Sequence, residues 1–349
     1  MTIVRSKNPA WKICIFALAA LLGPGLLFST SRAETQSRGK SGAPAANEAF
    51  SGPQFQTWMS EFRAEARRDG ISEKTLDAAL RDITPVKRVI ELDRSQPEFT
   101  QTFREYLGRR VTERRVKRGR ALLEKHRVLL QGIYEEYGVP PRYLIAFWGL
   151  ETNFGDYRGS FRVIDALVTL AHDQRRAKFF RKQLLHALRI IEQGHITAEK
   201  MMGSWAGATG HMQFLPSTFT GHAVDYTGNG RKDIWASLPD AFASAANFLS
   251  SMGWQTGETW GRRVRLPEAF DIRLATMNRK KPVNKWARLG VRQADGSSLP
   301  QADMEGSVIL PQGSEGPAFL VYENFRVIMR WNRSVNYAIS VGHLADRIR

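Results

Sequence analysis

The chain has 349 residues, 42% of them hydrophobic, and carries a formal net charge of +17 at neutral pH. This length and composition are sufficient for an ordinary hydrophobic core, and the single cysteine, Cys14, excludes a fold held by intrachain disulfides. The large excess of basic residues favours a polyanionic partner.

The N-terminal 33 residues have the pattern of a secretory signal peptide. Three basic residues precede an apolar stretch, residues 14–28, and the small-residue ending Ser31-Arg32-Ala33 follows it. The apolar stretch is short and is interrupted by Gly-Pro-Gly, so cleavage after Ala33 is expected, with an uncleaved membrane anchor as the alternative. Cys14 lies early in the apolar stretch rather than at the cleavage position, so a lipoprotein is not expected.

Export decides which polyanion is the better candidate. Residues 1–33 contain four basic and no acidic side chains, so the exported chain keeps a formal charge of +13. A cell-wall or membrane-surface polymer is then a better candidate than DNA or RNA. The sequence has no zinc-finger spacing and no aromatic–basic RNA-binding motif, so no nucleic acid is predicted as a partner and it stays only as the weaker alternative.

A linker followed by helices is predicted next. Residues 34–52 are rich in Ser, Gly and Ala and predict a flexible linker. From residue 55 to about residue 130, apolar residues recur at three- and four-residue steps, which is typical of amphipathic helices. Within that segment, residues 103–126 predict a basic amphipathic helix or helix pair. Its basic face is expected to be solvated, and contact with an anionic polymer is the alternative.

Glu151 is an unusual residue for its position. It follows a run of eight uncharged, mostly apolar residues and begins the sequence ETNFG. Pro140 and Pro141 can open a helix, and a helix that is apolar on all sides is usually buried. Burying an unpaired carboxylate is costly, so Glu151 is either held by a partner or kept protonated so that it can donate its proton.

Residues 203–219, GSWAGATGHMQFLPSTF, form a glycine-rich segment with the composition of a sugar-binding site. Glycine lets a backbone bend tightly and approach a ligand closely. Ser204 and Gln213 offer neutral hydrogen-bonding groups, and Trp205 and Phe214 offer flat apolar faces. No Gly-Lys-Ser/Thr follows, which excludes a phosphate-binding loop, and a purely structural role is the alternative.

Helices and a small sheet are predicted for the remaining chain. Residues 161–193 carry a continuous apolar stripe typical of core helices, and residues 239–252 predict a closely packed helix. Residues 261–328 combine turns with β-rich runs and predict a small sheet. Residues 334–348 predict a final amphipathic helix.

Four motifs, in this order, resemble the lytic murein transglycosylase B family. They are ETNFG at 151–155, SWAGATGHMQFLPSTF at 204–219, DYTGNGRKDIW at 225–235 and WNRSVNYAISVGHLADRI at 331–348. The resemblance covers residues 53–349 and implies one catalytic domain of α+β, mostly α class. Its parts would be a helical flank, a lysozyme-like helical core and a small β-rich part at about 261–328.

The resemblance implies a peptidoglycan lytic transglycosylase, a lyase that needs no cofactor. Such an enzyme cleaves the β-1,4 bond between N-acetylmuramic acid and N-acetylglucosamine and leaves a 1,6-anhydromuramoyl end. Glu151 falls on the position of the catalytic acid. Because it closes a buried helix beside Trp148 and Phe154, we expect desolvation to raise its pKa so that it can protonate the glycosidic oxygen. A buried ion pair is the structural alternative.

Further positions are implied to bind the glycan, and for each of them a packing role is the alternative. Trp331 and Phe248 stand where the family commonly has tyrosine, which keeps a stacking surface and loses a hydroxyl. Tyr106 is a candidate on spacing alone. The other implied substrate-binding residues are Ser204, Met212, Gln213, Phe214, Asn332 and Tyr337.

Residues 225–236 resemble an EF-hand-like loop at which some family members bind calcium. Asp225, Thr227 and Asn229 match its first ligands, and Asp240 is a candidate late ligand. The twelfth position, which normally supplies a bidentate glutamate, is Ala236. An unmetallated turn is therefore predicted, with calcium as the alternative, and the histidines show no metal-binding spacing.

Two other functions stay open on the sequence alone. One is a hydrolytic muramidase on the same scaffold, and the other is a non-catalytic, peptidoglycan-binding scaffold protein. Peptidoglycan glycan strands are the predicted partner, proteins of cell-wall synthesis or division are further candidates, and a monomer is expected. The resemblance also places the exported protein in the periplasm.

Overall fold

The computed structural model describes residues 52–83, 85–95 and 101–349. The expected signal peptide and nearly all of the expected linker lie outside these residues. The described chain forms two compact units, one of residues 52–251 with 344–349 and one of residues 252–343. Among the described helices, none combines the length and apolarity needed to cross a membrane.

The larger unit is helical apart from one short strand pair, in which β1 and β2 run antiparallel. Its elements in chain order are α1 (Pro53–Arg68), α2 (Glu73–Leu80), α3 (Lys87–Ser95), α4 (Phe103–Arg110), α5 (Glu113–Lys125), α6 (Arg127–Tyr137), α7 (Pro141–Thr152), β1 (Phe161–Arg162), α8 (Val163–His172), α9 (Ala177–Glu192), β2 (Met202–Gly203), α10 (Pro216–His222) and α11 (Leu238–Ser251).

The basic segment 103–126 forms two helices because each half has its own start signal. At the start of α4, Thr102 Oγ1 accepts from Glu105 N at 3.3 Å, and the Glu105 carboxylate accepts from Thr102 N at 3.0 Å. This reciprocal pair is a capping box, which satisfies backbone N–H groups that have no partner within the helix. Thr112 starts α5 in a similar way, accepting from Arg115 N at 3.2 Å.

Helix α7 is buried on all sides, as its apolar sequence predicts. Pro141 occupies the first turn, where its missing N–H costs nothing. Every residue from 143 to 152 is buried, including Glu151 and Thr152. Neighbouring helices α5, α6 and α11 pack against it, so the end of α7 is held in the interior of the larger unit.

Glycine allows α5 to lie very close to the C-terminal residues of the chain. A Cβ built on Gly119 would lie 2.7 Å from Ile348 Cδ1, closer than side chains can approach. The Arg120 Nε–H donates to the Arg347 carbonyl at 2.9 Å, and Arg347 forms an ion pair with Glu113. These contacts fix residues 344–349 against the basic helix.

The smaller unit is built on a five-stranded antiparallel sheet with the order β4-β6-β7-β3-β5. Its core surrounds the fully buried Trp286, whose Nε1–H donates to the Gly306 carbonyl at 2.9 Å. The elements are β3 (Gly261–Arg265), β4 (Lys281–Pro282), α12 (Val283–Arg288), β5 (Arg292–Gln293), β6 (Glu305–Ile309), β7 (Ala318–Val321) and α13 (Glu323–Trp331), followed by α14 (Val335–Ile348), whose last residues belong to the larger unit.

Pairing in this sheet follows the apolar runs of the sequence. Val308 lies opposite Leu320 across β6 and β7, and Val264 lies opposite Ala318 across β3 and β7. All four side chains are buried in one core cluster. The mostly helical structure with small antiparallel sheets confirms the predicted α+β, mostly α class.

Candidate active site

Glu151 lies in the last turn of α7, with only 7% of its surface exposed. The helix ends one residue later, at Thr152. A buried carboxyl group at a helix end is expensive to maintain unless the surroundings hold it. The surroundings of this helix end are therefore the first place to look for a catalytic arrangement.

The turn after Glu151 is strained. Asn153 and Phe154 have φ angles of 50° and 61°, in the left-handed region that favours glycine. Gln213 is the other non-glycine residue of the described chain with positive φ, at 49°. Such backbone conformations cost about 1 to 3 kcal/mol each and concentrate at functional sites. All three strained non-glycine residues of the described chain thus lie in two predicted site segments, the ETNFG motif and the glycine-rich segment.

Phe154 turns back onto its own helix. Its ring meets Trp148 edge-on, with ring centroids 5.8 Å apart. A Cβ on Gly149 would lie 2.7 Å from the Phe154 ring, so only glycine fits between the helix and the ring. This packing keeps the turn folded over the last turn of α7, where Glu151 lies.

Two arginines of α5 hold the same turn from outside. Arg115 Nη2 donates to Asn153 Oδ1 at 3.4 Å, and the Arg118 guanidinium forms an ion pair with Asp156 and lies 5.2 Å from the Phe154 ring centre. The Asn153 amide also donates to Asp156, at 2.9 Å. Hydrogen bonding from Arg118 is the main cause that lowers the pKa of the Asp156 carboxyl, so Asp156 is an ionised structural anchor.

His211 joins α7 to the glycine-rich segment. The Trp148 Nε1–H donates to His211 Nδ1 at 3.1 Å, and the Thr152 hydroxyl donates to the His211 carbonyl at 2.9 Å. The Gly155 N–H in turn donates to the Thr152 hydroxyl at 3.0 Å. Burial, followed by the neighbouring Arg158, lowers the pKa of His211 to about 4, so the ring is neutral near neutral pH.

The glycine-rich segment is folded tightly by backbone contacts. Ser204 N donates to the Ala208 carbonyl at 2.7 Å, and the Ser204 hydroxyl accepts from Ala208 N at 3.0 Å. A Cβ on Gly159 would lie 2.1 Å from the Gly203 backbone, so glycine is required where the two segments cross. The segment is therefore a rigid support rather than a free loop.

Gln213 is held at the end of this support. Its side-chain amide donates to the Arg158 carbonyl at 3.2 Å and to the Gly210 carbonyl at 3.1 Å. These bonds occupy the amide nitrogen and orient the side chain. Since His211 lies two residues earlier, the segment carrying Gln213 and the helix carrying Glu151 are joined by one buried residue.

The remaining residues of the larger unit that were predicted to bind the glycan differ in exposure. Met212 is fully buried, and Phe214 and Phe248 are buried with ring centroids 6.3 Å apart. Tyr106 is half-buried, with the Arg110 guanidinium 5.6 Å from its ring centre. The packing role is visible for the three buried side chains, and their contact with a glycan stays a prediction.

Three predicted residues belong to the smaller unit. Trp331 ends α13, and Asn332 is buried, with its Oδ1 accepting from Ser334 N at 3.0 Å. Tyr337 is fully buried, and its N–H donates to the Ser334 hydroxyl at 3.2 Å. Their binding roles likewise stay predictions.

The EF-hand-like loop is closed by hydrogen bonds. The fully buried Asp240 accepts from the N–H groups of Tyr226, Thr227 and Asp233 at 2.9 to 3.2 Å. Asp225 accepts from the N–H groups of Asn229 and Gly230 at 3.1 and 2.7 Å. Within the described residues, no cluster of three His, Cys, Asp or Glu side chains is arranged for a metal ion. Ala236 stands where an EF-hand loop has its bidentate carboxylate, so this loop lacks that calcium ligand.

A groove of about 1110 Å³ lies beside the turn, lined in part by Asp156, Tyr157 and Arg158. Glu151, Ser204 and Gln213 are not among its lining residues. We therefore build the candidate site on the end of α7 and the glycine-rich segment, and we assign no ligand to the groove.

Sequence reasoning missed Arg115, Arg118, Arg158 and His211. The partners of these residues lie far along the chain, 38 residues apart for Arg115 and Asn153 and 63 for His211 and Trp148. The basic pattern of 103–126 was the only available signal for the first two. Arg158 has no local pattern that distinguishes it from a surface residue. His211 lies within the motif at 204–219, but no spacing in the sequence shows its partners.

Comparisons with known proteins show the family of this chain. A family model described as Transglycosylase SLT domain matches residues 54–346. Membrane-bound lytic murein transglycosylase B of Escherichia coli strain K12 is 29% identical over 249 residues, which cover 70% of this chain and 66% of that protein. The matched part thus spans about two thirds of the length of that relative.

Solved structures match over more of the chain. SltB3 from Pseudomonas aeruginosa, in complex with NAG-anhNAM-pentapeptide, superposes with a TM-score of 0.82 at 43% identity, covering 84% of this chain and 79% of that one. Soluble lytic transglycosylase SltB1 from the same organism gives a TM-score of 0.74 at 32% identity, covering 83% and 98%. The family and enzyme class predicted from the four motifs are confirmed, and the chain belongs to the transglycosylase SLT domain family of lytic transglycosylases.

Proposed function

We propose that this lytic transglycosylase cleaves the β-1,4 bond between N-acetylmuramic acid and N-acetylglucosamine in peptidoglycan and leaves a 1,6-anhydromuramoyl end. The observation that carries the proposal is the buried Glu151 at the end of α7, in the family's ETNFG motif and before a strained turn. The complex of SltB3 with NAG-anhNAM-pentapeptide supports this class of substrate and product.

In the first step, Glu151 acts as the general acid. Its carboxylic proton passes to the glycosidic oxygen, the bond from that oxygen to C1 of the muramoyl residue breaks, and the N-acetylglucosamine leaves with the proton on its new hydroxyl. The burial of Glu151 supports this role, because little water can reach the carboxyl group and compete with the glycosidic oxygen for its proton.

In the second step, the same residue acts as the general base. The C6 hydroxyl of the muramoyl residue attacks C1, and the ionised Glu151 takes the proton of that hydroxyl. A new bond between the C6 oxygen and C1 closes the anhydro ring, Glu151 is protonated again, and no water is consumed. One carboxyl group is therefore sufficient for the whole reaction.

A hydrolytic muramidase would need a second carboxyl group, roughly 5 to 10 Å from the first, as a nucleophile or base. Asp156, five residues after Glu151, is the carboxylate of the turn, and it is bound by Arg118 and Asn153. A carboxylate held in this way serves as an anchor. This supports the transglycosylase over the hydrolase.

The other predicted site residues are proposed to position the sugars. Ser204 and Gln213 supply hydroxyl and amide groups, and Trp331, Phe248 and Tyr106 supply aromatic faces. The further contacts proposed are those of Met212, Phe214, Asn332 and Tyr337. The tight folding of residues 203–214 supports this assignment for Ser204 and Gln213, because a sugar site needs groups whose orientation is set before binding.

We also propose the periplasm as the place of action and glycan strands of the cell wall as the partner, with residues 1–33 as the export signal. The family membership and the pattern of those residues support this. Fractionation of cells that produce the full chain tests it, since a cytoplasmic protein of full length would contradict it.

The products released from purified sacculi test the reaction. Mass spectrometry should find muropeptides lighter by the mass of one water, about 18 Da, than those of a hydrolase, because the anhydro ring forms without water. Reducing ends without anhydro ends would make the protein a muramidase. Binding to sacculi without any released product would indicate a scaffold protein.

A further inference from the structure

Helices α4 and α5 carry a group of arginines that we call the arginine cluster, consisting of Arg110, Arg114 and Arg115. Arg110 ends α4, and the other two lie in the first turn of α5. Arg109 and Lys117 add further positive charge beside them. Arg114 is exposed, and the other two members are half-buried.

Within the described residues, no carboxylate forms an ion pair with the arginine cluster. Asp156, which is paired with Arg118, adds an electrostatic attraction to Arg114. The nearby Glu105 is used by the capping box at Thr102, and Glu113 forms its ion pair with Arg347. Arg115 instead donates to the backbone carbonyl groups of Arg109, at 3.4 Å, and Arg110. Three guanidinium groups are thus held together without a carboxylate paired to any of them in the described chain.

Holding these charges together is unfavourable for the free protein. Burial, and then repulsion from Arg110 and Arg114, lowers the pKa of Arg115 to about 10. In the described structure the buried Nε atoms of Arg110 and Arg115 have no hydrogen-bond partner. Packing alone does not explain this arrangement, whereas an anion bound at the cluster would offset the repulsion.

The arginine cluster borders the proposed active site. Arg115 Nη2 donates to Asn153 Oδ1 at 3.4 Å, and Asn153 lies two residues after Glu151. One turn later on α5, Arg118 holds Asp156 of the same turn. At the other end of the cluster, Arg110 lies over Tyr106, a proposed aromatic contact of the glycan.

We propose that the arginine cluster binds the carboxylate groups of the peptide stems carried by the muramoyl residues. This inference rests on the proposed function and names the part of the substrate that reaches beyond the sugars. The N-acetylated sugars of the strand are uncharged, so the anionic groups of an intact strand are on its peptides. Guanidinium groups match carboxylates in geometry and charge and bind them through paired hydrogen bonds.

Steady-state kinetics on two substrates test the proposal. One substrate is a preparation of glycan strands with their peptide stems. The other is the same preparation after an amidase has removed the stems, which leaves one lactyl carboxylate on each muramoyl ring and removes the carboxylates that reach beyond the sugars. The double variant Arg110→Gln/Arg114→Gln should raise KM for the first substrate about fivefold to tenfold, since charge-assisted contacts are lost. For stripped strands KM should change less than about twofold, and kcat should stay near the wild-type value on both.

A matched control is Arg68→Gln/Arg81→Gln, which removes the same charge from exposed arginines outside the cluster. It should leave both KM values unchanged. The single variant Arg114→Gln, at an exposed position, should show part of the effect even if the double variant folds poorly.

Several results would overturn the inference. They are an unchanged KM for peptide-bearing strands, an equal rise of KM for both substrates, or an equal rise in the matched control, which would indicate a general effect of charge. Normal turnover of stripped strands by the wild-type protein separates these results from a failure of the proposed function. If the wild-type protein forms anhydro products from neither substrate, both proposals are wrong.

Discussion

His211 can join α7 to the glycine-rich segment in only one protonation state. The indole Nε1–H of Trp148 can only donate, so His211 Nδ1 must accept and the ring proton must be on Nε2. Arg158 Nη1 lies 3.4 Å from that Nε2 and can also only donate, so its bond goes to the Trp235 carbonyl instead. A second ring proton would break the bond to Trp148 and place a cation beside Arg158.

The pH dependence of stability should therefore show His211. The unfolded chain binds this proton near pH 6.5 and the folded chain only near pH 4, so the contribution is complete above pH 6.5 and is lost as the pH falls towards 4. At one pKa unit per 1.36 kcal/mol, the loss from pH 7 to pH 4.5 is roughly 2 to 3 kcal/mol.

The variant His211→Asn tests this, because asparagine keeps an acceptor for Trp148 and does not titrate. Denaturant unfolding at pH 7 and pH 4.5 should give a free energy of unfolding that falls less in the variant than in the wild-type protein. An equal fall in both proteins would show that His211 does not stay neutral when buried.

At the scale of elements, the pattern of α7 and the motifs beside it were enough to predict the buried helix and its terminal carboxyl. The apolar run, the two prolines and ETNFG are all local signals. The same holds for β6 and β7, whose apolar runs pair across the sheet. What holds the turn after Glu151 could not be predicted, because Arg115, Arg118 and His211 reach it from distant parts of the chain.

The loop of residues 225–236 should fold without calcium. The carboxylate of Asp240 already satisfies three backbone N–H groups of the loop. A metal that binds only the folded state stabilises it in proportion to the logarithm of its concentration over its Kd. The melting temperature in several millimolar calcium should therefore differ from that in a chelator by less than about 2 °C.

The melting temperature of the variant Asp240→Asn tests the same loop in a second way. Its amide would replace one acceptor oxygen by a donor, so a buried N–H group would lose its partner at a cost of about 1 to 3 kcal/mol. The melting temperature of the variant should be several degrees below that of the wild-type protein, with or without calcium. A wild-type protein that melts several degrees higher in calcium would contradict the account and make the loop a metal site.

At the scale of the molecule, family membership came from the order of four motifs over nearly the whole described chain. The formal charge of +17 predicted a polyanionic partner but did not predict which surface binds it. We propose the arginine cluster as that place, because its members form no ion pair in the described residues and Arg115 contacts the turn that follows Glu151. Clustering of like charges depends on how helices meet, and a helical pattern alone does not contain that information.

Glu151 is the one carboxyl group proposed to perform both proton transfers. The most direct measurement compares wild-type protein, Glu151→Gln and the exposed control Glu124→Gln on purified sacculi, scoring anhydromuropeptides by mass spectrometry and binding by co-sedimentation. Loss of a group that acts as acid and then as base should reduce the yield of anhydro products by at least about 1000-fold. Binding should be retained, and Glu124→Gln should behave as the wild-type protein does. Anhydro products from Glu151→Gln at more than about a tenth of the wild-type rate would contradict the account and require another acid.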